Sequence, residues 1–277
     1  MSQRLRFLRT KTGLVGFVVL VLVVGIALFG PFFAPHSPSE PIGIPYAGPS
    51  AGAPLGYDAL GRDVLSRVLW GGRSVLALAG LATLLGYAAG GIIGLVAGYS
   101  RSLLDPILMR GVDVLIAFPA LLFILVLITG AGTSEAVLVA AVAVVQTPLV
   151  ARIVRTATLE QSVRGFVEAA VARGERTAAI LRREILPNIV SPLAADVGLR
   201  FTYSVILVAS VNFFGLGLQP PAADWGLMIS ENRDGLTLNP WVILVPAALI
   251  AALTISLNLV GDAIARTLGR SVAVATA

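Results

Sequence analysis

Six stretches without a charged residue divide the chain, over 12–39, 74–100, 114–134, 136–151, 201–223 and 235–261. Together they make up about half of its 277 residues. A helix that crosses a bilayer needs roughly 20 mostly apolar residues. Five stretches reach that length, and the sixth, with 16 residues, can be completed at its ends. The pattern predicts an all-α fold, a polytopic membrane helix bundle of six transmembrane helices. The expected divisions are a terminus over 1–12, a first span over 13–34 and a segment outside the membrane over 35–73. A five-helix core over 74–266 and a tail over 267–277 complete the chain. The first apolar run is too long, and too lacking in a small-residue cleavage site, for a signal peptide.

Basic residues set the expected orientation, because cytoplasmic loops carry the excess of arginine and lysine. With the N-terminus cytoplasmic and six spans, 15 of the 20 basic residues fall on the cytoplasmic side. Arg62, Arg67, Arg73 and Arg233 fall outside, and Arg200 stands at the start of the fifth span. Both termini are therefore expected in the cytoplasm.

Two hydrophilic segments carry patterns of their own. From Pro35 to Tyr57 the outer segment is rich in proline and glycine, which predicts an extended loop. Asp58 then stands as the cap of a short amphipathic helix with Leu60, Val64, Leu65, Val68 and Leu69 on one face. Asp58–Arg62 and Asp63–Arg67 are i,i+4 pairs expected on its solvated side. Across 152–188, Val163, Phe166, Val167, Ala170 and Val171 share one helical face and Gly174 follows as a stop. A second piece runs from Thr177 through Ile180, Leu181 and Ile185 to an expected stop at Pro187. A hairpin with an apolar face outside the membrane needs a protein surface, supplied by the bundle or by another chain.

Composition narrows the chemistry. The chain is 57% hydrophobic and 13% charged, against about 45–50% and about 25% in soluble domains. It has no cysteine and one histidine, His36, so thiolate metal sites and thiol nucleophiles are excluded. The only lysine, Lys11, follows Thr10, so no GxxxxGK[ST] phosphate loop is present. A pI near 10.2 fits basic cytoplasmic loops better than nucleic-acid binding. Proton-coupled secondary transporters need carboxylates within the membrane, and the six uncharged stretches hold none. A membrane enzyme would lack an acid–base pair.

The motifs themselves resemble a known family. Glu168-Ala169-Ala170, Gly174 and Ile185-Leu186-Pro187-Asn188 resemble the EAA loop of bacterial ABC importer permeases. Leu55-Gly56-Tyr57-Asp58 with Leu60-Gly61-Arg62-Asp63-Val64-Leu65-Ser66-Arg67 is similar to the outer segment of the dipeptide/oligopeptide permeases, in their "C"-type subunit. Phe214 to Pro221 with Asp224-Trp225-Gly226, and Asn258-Leu259-Val260-Gly261-Asp262, resemble two further runs of that family. Val208 stands where its members commonly carry an acidic residue, and Glu184 where many importer permeases are apolar.

This resemblance implies a type I (MetI-like) importer permease fold and a bacterial inner-membrane location. It implies a non-catalytic subunit working with a second homologous permease, two ABC ATPases and an extracytoplasmic binding protein. ATP and magnesium would be bound by the ATPases, and this chain would hold no cofactor. Residues carried over to ATPase coupling are Arg164, Glu168, Ala169, Ala170, Gly174, Leu186 and Pro187. Polar groups near a pathway are few: Gln146, Asp196, Arg200, Asn212, Thr254 and Asn258. Asp196 and Arg200, four apart, can also satisfy each other as a structural pair. Peptides are the expected substrate, with nickel chelates, haem or sugars as alternatives.

Overall fold

A computed structural model describes residues 10–100 and 102–275. Arg4, Arg6, Arg9 and Arg101 lie outside the described residues. Helix α1 (Lys11–Phe29) starts at Thr10, whose side chain accepts from Gly13 N, and tightens into a 3-10 turn at Gly30–Phe33. α2 (Val64–Tyr99), with 36 residues, is about 54 Å long, well beyond a hydrocarbon core of about 30 Å. α3 (Leu104–Ala117), α4 (Ala120–Ala131) and α5 (Glu135–Ser162) follow. Next come the short α6 (Gly165–Ala172) and α7 (Thr177–Ile180). A π turn at Leu181–Ile185 leads straight into α8 (Leu186–Phe213). α9 (Trp225–Glu231) and α10 (Trp241–Ala275) complete the order.

The chain is a helical membrane bundle, as its hydrophobic pattern predicts. By length and composition, four of the described helical segments can cross a bilayer: Lys11–Phe33, α2, α5 and Trp241–Ile264. The third expected span is broken: α3 and α4 meet at 91° and count as a fifth only as a bent pair. Pro119 is the cause, since a proline drives the preceding residue out of the helical region, and Phe118 is extended at φ −83°, ψ 136°. α8 has 28 residues, but Asp196, Arg200 and Asn212 lower its apolar character. The described helices alone do not establish six.

Two local expectations are corrected. No separate amphipathic helix begins at Asp58. Its carboxylate accepts from Leu60 N and Arg62 N, each at 2.9 Å, in a turn. Gly61 then adopts φ +74° with Gly43 O against it, where any side chain would clash. The helix starts at Val64 on Asp63, which accepts from Leu65 N and Ser66 N, and continues without interruption as α2. Pro187 also fails to stop the second hairpin helix. It lies in the first turn of α8, where a missing N–H costs no hydrogen bond, and the preceding π turn shifts the register to admit it.

Small residues assemble the centre of the bundle. α2 and α5 run parallel, and Gly86, Gly90, Gly94 and Gly98 of α2 form one stripe facing α5. A Cβ at Gly90 would stand 2.6 Å from Thr147 O, and one at Gly94 2.6 Å from Ala151 O. Such close backbone approach replaces the hydrophobic drive that lipid cannot supply. α8 packs antiparallel on this pair, with Thr83 Oγ1 donating to Ser204 Oγ at 2.9 Å. α1 lies along α10, where Gly16 meets Leu259. The starts of α2 and α10 and the end of α8 thus share one end of the bundle, the cap end. The hairpin of α6 and α7 lies at the other.

Candidate functional site

At the hairpin end, α6 is anchored by Val167 and Ala170, while Val163, expected on the same helical face, instead caps the end of α5. Val167 and Ala170 are buried with Val150 and Val154 of α5 and with Ile180, Ile185 and Ile189. Val163 and Val171 remain 71% and 54% exposed, and Phe166 is exposed as well. The bundle therefore covers one edge of the apolar face and leaves the rest open. Between α6 and the ends of α2 and α5 lies a groove of about 1030 Å³, lined by Tyr99, Leu159, Val163, Val167, Glu168 and Val171, among others.

The motif residues occupy the open side. Arg164, Glu168, Ala169, Gly174, Leu186 and Pro187 are exposed, while Ala170 is buried. Arg164 N-caps α6 with an extended backbone and, although four residues from Glu168, forms no ion pair with it. Glu168 makes no ion pair among the described residues. Gly174 takes φ +73°, and a Cβ there would meet nothing within 4 Å. It is glycine for its backbone conformation and not for lack of space. Beside it Arg173 donates to Glu175 at 2.6 Å and lies 3.8 Å from Glu184.

Within the bundle, Asp196 and Arg200 do pair, Nε to Oδ2 at 3.1 Å. They are the centre of a wider network. Tyr87 Oη donates to Asp196 Oδ2 at 2.6 Å, and Gln146 Nε2 donates to Arg200 O at 2.8 Å and to Ser204 Oγ at 2.9 Å. Gln146 is buried and its Oε1 has no partner. Asn212 is fully buried too: Nδ2 donates to Asp224 Oδ1 and Oδ1 accepts from Leu218 N, both at 2.9 Å. Its amide is spent inside the fold. Asn258 is exposed and donates to Thr254 O at 3.0 Å, while Thr254 donates back to Ile250 O. Val208 is buried.

The cap end holds what the sequence pattern missed. The Asp58–Arg62 pair is not solvated: Arg62 Nε donates to Asp58 Oδ2 at 2.6 Å, and both side chains are at most 2% exposed. Arg67 lies 3.4 Å from the same oxygen and is fully buried. Both arginines converge on Glu231 Oε2, Arg62 Nη2 at 3.0 Å and Arg67 Nη2 at 2.6 Å. Asp63, the expected partner of Arg67, instead accepts from Ser66 Oγ and lies 3.4 Å from His36 Nδ1. Asp224 N-caps α9 and accepts from Ser74 Oγ at 2.7 Å. Trp225 is buried against Gly71 and Gly72, its Nε1 donating to Val68 O at 2.9 Å. Two sequence motifs more than 150 residues apart thus form one packed unit. Glu231 is invisible to a local reading because its partners are distant in sequence.

Comparison with known proteins decides what this arrangement belongs to. Residues 90–274 match the model of the binding-protein-dependent transport system inner membrane component. The chain belongs to that family. Residues 3–49 match the N-terminal transmembrane domain of oligopeptide transport permease C. The chain is 36% identical over 259 residues to the glutathione transport system permease protein GsiD of Pectobacterium atrosepticum, covering 93% of this chain and 86% of that one. It is 33% identical over 263 residues to the di/tripeptide transport system permease protein DppC of Pseudomonas aeruginosa, covering 92% and 87%. Its fold resembles that in inward-facing structures of the MetNI methionine ABC transporter, with TM-score 0.59, 20% identity and coverage of 73% and 95%. An amino acid ABC transporter solved with histidines gives TM-score 0.53, 22% identity and coverage of 69% and 89%. The chain is an ABC importer permease with a MetI-like fold, a multi-pass inner-membrane protein whose class works with ATPase and binding-protein partners.

Proposed function

We propose that this permease forms half of the membrane route of an ATP-driven importer of small peptides, and that its hairpin receives the motion of the ATPases. A second, similar permease supplies the other half, and two ATPase subunits bind the ATP and magnesium. This chain performs no chemistry of its own. Its hairpin end and both termini face the cytoplasm, which the assignment of 15 of 20 basic residues to that side supports. α8 then crosses as well, bringing the count to six, and the cap faces outward.

The observation that carries the reading is the half-covered α6. Val167 and Ala170 fix the helix to α5 and the π turn, while Phe166, Val171 and Glu168, with Val163 just before the helix, stay open. An apolar strip with a carboxylate on it suits docking into a groove with a basic group. Because the chain is helical from Thr177 through Phe213, a push on the hairpin is delivered along α8 into the bundle. This is the rigid-element motion that alternating access requires.

The peptide substrate is supported by the di/tripeptide and glutathione permeases among the relatives. Few polar side chains are left free inside the bundle, so selectivity rests with the binding protein. The test is uptake into proteoliposomes holding the complete complex, with labelled dipeptides, tripeptides, a nickel chelate, haem and a sugar. ATP-dependent uptake of di- or tripeptides is expected. ATP-dependent uptake of one of the others alone would replace the substrate, and uptake without ATP would overturn the class.

A further inference from the structure

The buried charges at the cap end join the outer segment to α9, alongside Asn239 Nδ2, which donates to Leu55 O and Tyr57 O. Residues 41–63 form an irregular segment with no helix, folded on itself by Ile42 N and Gly43 N donating to Gly61 O and by Tyr46 N donating to Asp58 O. It reaches α9 through Arg62 on Glu231 and through Ala59 N, which donates to Asn232 Oδ1 at 2.9 Å. α9 in turn is fixed to α8. Asp224 accepts from Asn212, and a Cβ on Gly226 would stand 2.6 Å from Ala209 O. From there α8 runs as one rod to the π turn and the hairpin.

We infer that Glu231 is a positioning residue that locks the 41–63 segment to α9 and α8, so that a binding protein pressing on the segment moves the far hairpin. The inference rests on the proposed function, which puts the cap outside and the ATPases at the hairpin. Two buried guanidiniums share the Glu231 carboxylate, and Asp58 alone cannot neutralise both. Separating such a cluster exposes unpaired charge to a dry interior, so it stays closed through the transport cycle and carries force in both directions. Energetic coupling between distant sites needs a physical element that both ends bias, and the Glu231 cluster is the buried ionic joint between the outer segment and such an element.

The experiment uses the complete complex in proteoliposomes with substrate-loaded binding protein, reading basal and stimulated ATP hydrolysis separately. Glu231→Gln is expected to keep assembly and basal hydrolysis and to lower stimulation by about fivefold or more, the lower range of ordinary site-to-site coupling. A covalent tie between Ala59→Cys and Asn232→Cys, closed by oxidation or a short bis-maleimide in this Cys-free chain, is expected to restore stimulation in the Glu231→Gln background. Wild-type stimulation in Glu231→Gln, or no restoration by the tie, would overturn the inference. Should Glu231→Gln fail to assemble, the same tie in the otherwise wild-type chain decides. Unchanged transport after cross-linking supports a joint that stays closed, and blocked transport refutes it. A wild-type complex that shows no response to any binding protein would count against the proposed function instead.

Discussion

At the residue scale, Glu168 and Asp224 are opposite cases. Glu168 is exposed and unpaired among the described residues, so Glu168→Gln is expected to change stability by less than about 0.5 kcal/mol. Its effect should fall on association, weakening ATPase co-purification by roughly tenfold, or about 1.4 kcal/mol. Gly174→Asp meets no crowding, and its backbone strain is about 1 kcal/mol, yet it re-aims the turn and should lower stimulated ATP hydrolysis in an assembled complex. Asp224, fully buried, accepts from Ser74, Asn212, Gly226 and Leu227. Asp224→Ala strands those donors and should cost at least about 3 kcal/mol, visible as a lowered thermal midpoint in detergent. The motif letters made Glu168 and Gly174 legible in the sequence. Glu231 was not, because a buried ion cluster is a long-range arrangement, whereas the i,i+4 rule that placed Arg62 and Arg67 on a wet surface sees only neighbours.

At the element scale, the spans were legible because lipid demands long uncharged helices, and their interruptions were legible only in part. Pro119 inside the third apolar stretch signals the break before α4. Gly61 inside the expected amphipathic helix signals that no helix starts at Asp58. The π turn at Leu181–Ile185 has no such signal: it is a register adjustment that lets Pro187 enter α8, and a proline read locally is a stop. The glycine stripe of α2 gives a sharp contrast. Gly90→Val must push α2 from α5 and should destabilise the bundle by about 1–3 kcal/mol or more. Gly91→Val, with nothing within 4 Å, should leave folding nearly unchanged. Yield of monodisperse protein and thermal midpoint of the two variants separate a packing role from mere helix propensity.

At the scale of the whole molecule, the two ends of the bundle differ in kind. A cap sealed by buried charge and a half-open hairpin stand at opposite ends, connected by α8, and the bundle between them uses up most of its polar side chains internally. Such a chain should not move peptides alone. Reconstituted without a second permease and ATPases, it is expected to give uptake no faster than empty vesicles. The most direct test of the hairpin as the point where force enters is site-specific cross-linking from Ala169→Cys, an exposed position beside Glu168 in a chain that has no other cysteine. In the membrane-embedded complex, the adduct should form with the ATPase subunit and change in yield between nucleotide-free and ATP-bound states. Adducts to lipid or to the second permease alone, with no ATPase product in either state, would remove the hairpin from the coupling path.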